Sequence, residues 1–125
     1  MSQTLEQKRA QYAHGFITQG CENVDRDKLL TLIRKTPTMI IQNGLGQSLA
    51  FLLADAGDNR LEASYQLYHF MQIWLCEKGR PARVYTGEGD LIDQLIQNSR
   101  SEYAQAQHEI LAMFNWLKKF ADAWL

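Results

Sequence analysis

Cysteine and proline are both scarce in this sequence, with two of each among 125 residues. Cys21 and Cys76 lack the Cys-x-x-Cys or Cys/His spacing of a metal site, and two cysteines make no disulfide scaffold. They are expected to be packing residues in a reducing compartment. With Pro37 and Pro81 as the sole prolines, long stretches are free to be helical. An excess of charge of one sign is missing too. Thirteen Lys and Arg face fourteen Asp and Glu, a formal net charge of -1, so any contact with phosphate must come from a local patch. Gln42, Asn43 and Gln47 interrupt the most apolar region and exclude a membrane span there. The polar stretch from Met1 to Ala10 has no apolar core of the secretory kind, so a cytoplasmic location is expected.

Strict two-residue alternation is absent as well, and three- to four-residue apolar spacing takes its place. Leu5, Tyr12 and Phe16 predict a first amphipathic helix from Ser2 to about Thr18. Acids at Asp25 and Asp27, then Leu29, Leu30, Leu32 and Ile33, then Arg34-Lys35, predict a second with both ends matched to the helix dipole. Thr36-Pro37 has the form of an N-cap followed by proline at the first helical position. It predicts a third helix running through Ile41, Leu45, Leu49 and Leu53 to Ala56. Leu61 to Lys78 predicts a fourth, ended by Gly79, and residues 79–89 an irregular exposed loop with at most a short extended piece from Arg83 to Tyr85. Leu91, Ile92, Leu95 and Ile96 fit a short helix. Ser99 and Glu102 have capping-box spacing before a last helix, on which Tyr103, Ile110, Leu117 and Trp124 recur every seven residues. The expected architecture is all-α: a compact bundle of five to six helices forming a single domain over residues 1–125.

Reactive constellations do not emerge. His14, His69 and His108 fall on separate predicted helices, and none has a second His or Cys at i+3 or i+4, so no metal site is expected. The acids at Asp90 and Asp93 sit where a helix start favours them anyway. Gly44-Leu45-Gly46 lacks the Lys-Ser/Thr of a phosphate loop and the strand of a dinucleotide fold. Each glycine costs a helix interior about 1 kcal/mol relative to alanine, which calls for close approach by another backbone, either within the bundle or from a partner subunit. The polar Gln42, Asn43 and Gln47 beside them favour a partner. Basic pairs at Lys8-Arg9, Arg34-Lys35 and Lys118-Lys119, with Arg80 and Arg83 on the loop, are either solvated helix ends or parts of a phosphate-binding stripe. Trp116, off the heptad seam and beside Lys119, marks an interface or a second core face.

Three segments, taken in order, carry a family resemblance. Leu5-Glu6-Gln7-Lys8-Arg9-Ala10-x-Tyr12-Ala13 is similar to the opening helix of the small subunit of the Cmr complex, the type III-B CRISPR effector. Leu32 through Pro37 to Met39-Ile40, then Asn43-Gly44-Leu45-Gly46-Gln47-Ser48-Leu49-Ala50-Phe51-Leu52, resembles its central signature. Glu109-Ile110-Leu111 and Trp116-Leu117-Lys118-Lys119-Phe120-Ala121 resemble its closing helix. The likeness spans nearly the whole chain and is weakest over residues 79–89.

The resemblance implies a non-catalytic antiviral-defence protein without cofactor or small-molecule substrate. Its partners would be the Cmr backbone subunits, the large subunit, further copies of itself, CRISPR RNA and target RNA. Lys8, Arg9, Arg34, Lys35, Lys118 and Lys119 are the candidate RNA contacts, and Gln42, Asn43, Gly44, Gln47 and Trp116 the candidate subunit interface. A rival expectation is a free-standing homo-oligomeric adaptor, seamed along the last helix and without a role in RNA binding. An enzyme built around His69 or His108 with a carboxylate is a third.

Overall fold

The computed structural model describes residues 2–125, which form six helices and, among the described residues, no strand. They are α1 (Leu5–Gln19), α2 (Arg26–Asn43), α3 (Leu45–Ala56), α4 (Ala63–Cys76), α5 (Leu91–Gln97) and α6 (Arg100–Trp124). Local chemistry sets several of the ends. Thr4 accepts from the backbone N–H of Gln7 while the Gln7 side chain returns the bond, a capping box that starts α1. Asp25 accepts from the Lys28 N–H at the head of α2, and Ser99 with Glu102 closes the expected capping box of α6.

The third expected helix begins in the wrong place. Pro37 does not open a helix; α2 runs straight through it and stops at Asn43. Thr36 is fully buried and turns its hydroxyl back to donate to the Leu32 carbonyl at 2.6 Å, so it serves the helix interior instead of capping a new one. The break falls seven residues later at Gly44, whose φ of 88° and ψ of 161° belong to no helix.

Helix α6 is the axis of the bundle, packing on α1, α2 and α3, while α4 lies against α2, α3 and α5. Most of its heptad seam is consumed inside the chain, while Trp124 at its end is 51% exposed. Ile110, Met113 and Leu117 are fully buried in the core with Leu49, Leu52, Leu67 and Trp74, and Tyr103 is bonded to α3. These positions are taken up by the chain's own core. Residues 79–89 are irregular, as expected, but not wholly exposed: Tyr85 is fully buried, and the backbone N–H groups of Val84 and Tyr85 both donate to the Leu75 carbonyl. Arg83 adds a bond from Nε to the Cys76 carbonyl at 2.8 Å, fastening the loop to the end of α4.

Candidate nucleic-acid and subunit interface

The six candidate cations have different fates. Arg9, on α1, is turned inward. Its Nε and Nη2 donate to the two carboxylate oxygens of Glu109 on α6, each at 2.7 Å, and Nη1 reaches Glu6. Trp74 of α4 donates its indole N–H to the same Glu109 at 2.9 Å, so a carboxylate 6% exposed joins three helices. The hydrogen bonds that Arg9 donates to Glu109 raise the Arg9 pKa further, and the guanidinium stays charged at every accessible pH. That commitment removes Arg9 as a free phosphate ligand and makes it a fold residue.

Arg34 pairs across to Asp122 at 2.8 Å, with both partners about half exposed. Lys118 stands one turn before Asp122 on α6, so this contact brings Arg34 to the stretch of α6 that carries Lys118. Lys118 and Lys119 are exposed, and among the described residues neither has an acidic partner. Lys35 lies over the ring of Phe51 at 4.6 Å, a cation–π contact between α2 and α3. Lys8 is half-buried on a different face of α1 and, among the described residues, likewise has no ion pair.

The glycines at the α2–α3 break answer to an interior neighbour. A Cβ on Gly44 would stand 2.8 Å from the Tyr103 hydroxyl, and one on Gly46 would meet Leu95 at 3.3 Å. Tyr103 also accepts from the Gly46 N–H at 2.8 Å, and Gln107 accepts from the Leu45 N–H at 2.9 Å. Two side chains of α6 thus satisfy the amides that α3 leaves open at its start. Gly44 is explained within the chain, while Gln42, Asn43 and Gln47 beside it are exposed. Trp116 is half-buried, packed on Phe120 and donating to Glu6 at 3.2 Å, closer to a second packing face than to an open stacking platform.

A groove of about 850 Å³ separates α1 from α4, a feature that sequence reasoning missed because a gap has no residue pattern of its own. Tyr12 crosses it, donating to the Phe70 carbonyl at 2.6 Å and stacking on Phe70 and Trp74 at 4.6 and 4.9 Å. The Arg80 guanidinium lies 4.9 Å from the same ring. Burial pushes the Tyr12 phenol well above its ordinary pKa, and it remains a neutral donor. Among the described residues no cluster of three or more His, Cys, Asp or Glu is placed to hold a metal ion, and no helix is long and apolar enough to cross a membrane.

The family model described as CRISPR-associated protein (Cas_Cmr5) matches residues 5–124. The chain belongs to the Cmr5 family. A solved structure, a CRISPR-associated Cmr5 family protein from Thermus thermophilus, superposes with a TM-score of 0.74 at 25% sequence identity, covering 98% of this chain and 99% of the other. The match runs through residues 79–89, where the sequence resemblance is weakest, so the tucked loop is spanned by the family fold. Membership makes this Cmr5 family chain a component of the Cmr machinery with other Cmr subunits as partners.

Proposed function

We propose that this chain is a non-catalytic small subunit of a type III-B CRISPR effector, several copies of which stack beside the backbone subunits and help hold the target RNA. The observation that carries this reading is the pair Lys118 and Lys119: exposed, unpaired among the described residues, and close to Arg34 on a family-matched chain of net charge -1. Each cation that neutralises a phosphate releases condensed counterions, so a small local cluster gives salt-dependent binding even when the whole molecule is near neutral. Pairing to the guide would supply sequence specificity, leaving this subunit to contribute charge and shape. Lys8 and Lys35 extend the proposed surface, and Gln42, Asn43 and Gln47 form its proposed contact with neighbouring subunits.

The test is the double variant Lys118→Glu, Lys119→Glu in the reassembled complex. Target-RNA affinity should fall at moderate salt, and the slope of log K against log salt should flatten by about 1.4 to 1.8 if both lysines touch phosphate. An unchanged affinity and slope would clear these lysines of the role.

A further inference from the structure

Asn43 is the one asparagine of this sequence that glycine follows; Asn23, Asn59, Asn98 and Asn115 each precede a residue with a Cβ. Asparagine before glycine is the pair most open to ring closure, because a nitrogen whose own residue has no side chain approaches the neighbouring amide carbon unhindered. Asn43 is also exposed, so water reaches its side chain and ammonia has a way out. Substitution at position 44 is no remedy. There φ is 88° and a Cβ would stand 2.8 Å from the Tyr103 hydroxyl, so the break demands glycine. Protection therefore falls to the backbone.

Asn43 is the last helical residue of α2, and the Gly44 N–H donates to the Ile40 carbonyl at 2.7 Å. The nitrogen that would attack is thus spent on the helix end, and its proton is held there. The far side of the joint is tied as well. The Ser48 N–H and hydroxyl donate to the Gly44 carbonyl at 3.2 and 2.9 Å, while Gln107 and Tyr103 of α6 accept from the Leu45 and Gly46 N–H groups. Gly44 closes α2 and opens α3, so freeing its nitrogen means undoing this joint.

We propose that Asn43 is a self-modification site whose reaction waits on local opening of the α2–α3 break. Once the break opens, the Gly44 nitrogen gives up its proton and bonds to Asn43 Cγ. The bond from Cγ to Nδ2 breaks, and ammonia departs with that proton. One water then opens the resulting succinimide at either carbonyl, leaving aspartate or, with an extra methylene in the main chain, isoaspartate. Neither product restores the joint. A carboxylate at the C-terminal end of α2 meets the negative end of the helix dipole, and the longer main chain displaces Gly44 relative to Tyr103. The test follows the full chain at pH 8 by peptide mass spectrometry, folded in buffer and unfolded in guanidinium chloride. In the unfolded chain Asn43 should convert faster than the other asparagines, and folding should slow it about tenfold or more. Tyr103→Phe, which takes the acceptor from the Gly46 N–H, should speed the folded reaction about fivefold and leave the unfolded rate unchanged. Glu109→Gln weakens a different joint and should change the folded rate by less than about twofold. Equal rates in folded and unfolded chains, no preference for Asn43 in the unfolded chain, or an unchanged folded rate in Tyr103→Phe would each overturn the proposal. A Glu109→Gln rate that climbs as far as its overall stability falls would also overturn it, by tying the reaction to complete unfolding.

Discussion

Replacing Glu109 with glutamine should destabilise the fold sharply. The carboxylate accepts two bonds from Arg9 and one from Trp74 in a site where Glu109 is 6% exposed and the Arg9 side chain 11%. Removing one partner of a buried ion pair costs about 3 to 5 kcal/mol, because the other charge is left uncompensated. Arg9 keeps its bond to the exposed Glu6, which places the loss near the lower end, about 3 kcal/mol. A 125-residue chain has a total stability of about 6 to 19 kcal/mol, so the variant should still fold. Its melting temperature should fall by about 10 °C, interpolating between the shifts of smaller and larger domains. The decisive assay is a cycle by thermal and urea unfolding. Arg9→Met and Glu109→Leu should each lose more than the double variant does, since the double change removes both charges at once. Strict additivity of the two single losses would refute the claim that Arg9 works for the fold. A loss of RNA affinity in Arg9→Met at full stability would return that residue to the binding surface.

Other expectations are more local. Gly44→Ala should cost about 2 kcal/mol or more in urea unfolding, because φ is 88° and the new Cβ would stand 2.8 Å from the Tyr103 hydroxyl; a loss under about 0.5 kcal/mol would rule out that crowding. Pro37→Ala should raise the melting temperature, since proline inside α2 removes a backbone donor; a lower value would show that the ring's packing outweighs the missing bond. Burial pushes the Cys76 thiol up to about 11, so alkylation at pH 8 should be slow compared with a small free thiol, and fast alkylation of the folded chain would contradict it. Because the folded value lies above the ordinary 9.0, the contribution of Cys76 to stability should be intact below about pH 9 and decline as pH rises toward 11; a pH titration of unfolding in wild type and Cys76→Ala isolates it.

What could be read directly from the chain was whatever its neighbours decide. The Ser99 and Glu102 box and the Asp25 cap are contacts over three residues, and both stand where the spacing puts them. Pro37 misled because the same dipeptide fits a helix start and a helix interior, and only the buried Thr36 hydroxyl on the Leu32 carbonyl distinguishes the two. The Gly44 and Gly46 pair announced a close approach, but the neighbour is the Tyr103 side chain instead of the expected backbone, and it lies 57 residues from Gly46 along the chain. Arg9 looked like half of a basic pair; its partner is 100 residues away, beyond any periodicity. The heptad of α6 was visible as a seam, yet whether a seam faces its own core or a second copy depends on which helices fold against it.

The joint at Glu109 also bears on how the molecule is born. Helix α1 emerges from the ribosome well before α6, yet the guanidinium on one and the indole on α4 wait for a carboxylate carried by the other. Until α6 arrives, Arg9 and Trp74 have no such anchor, and the earlier helices lack the surface on which α1 and α2 rest. Nascent chains cut short before α6 should therefore remain loose and protease-sensitive, a built-in check that keeps unfinished chains out of the Cmr complex.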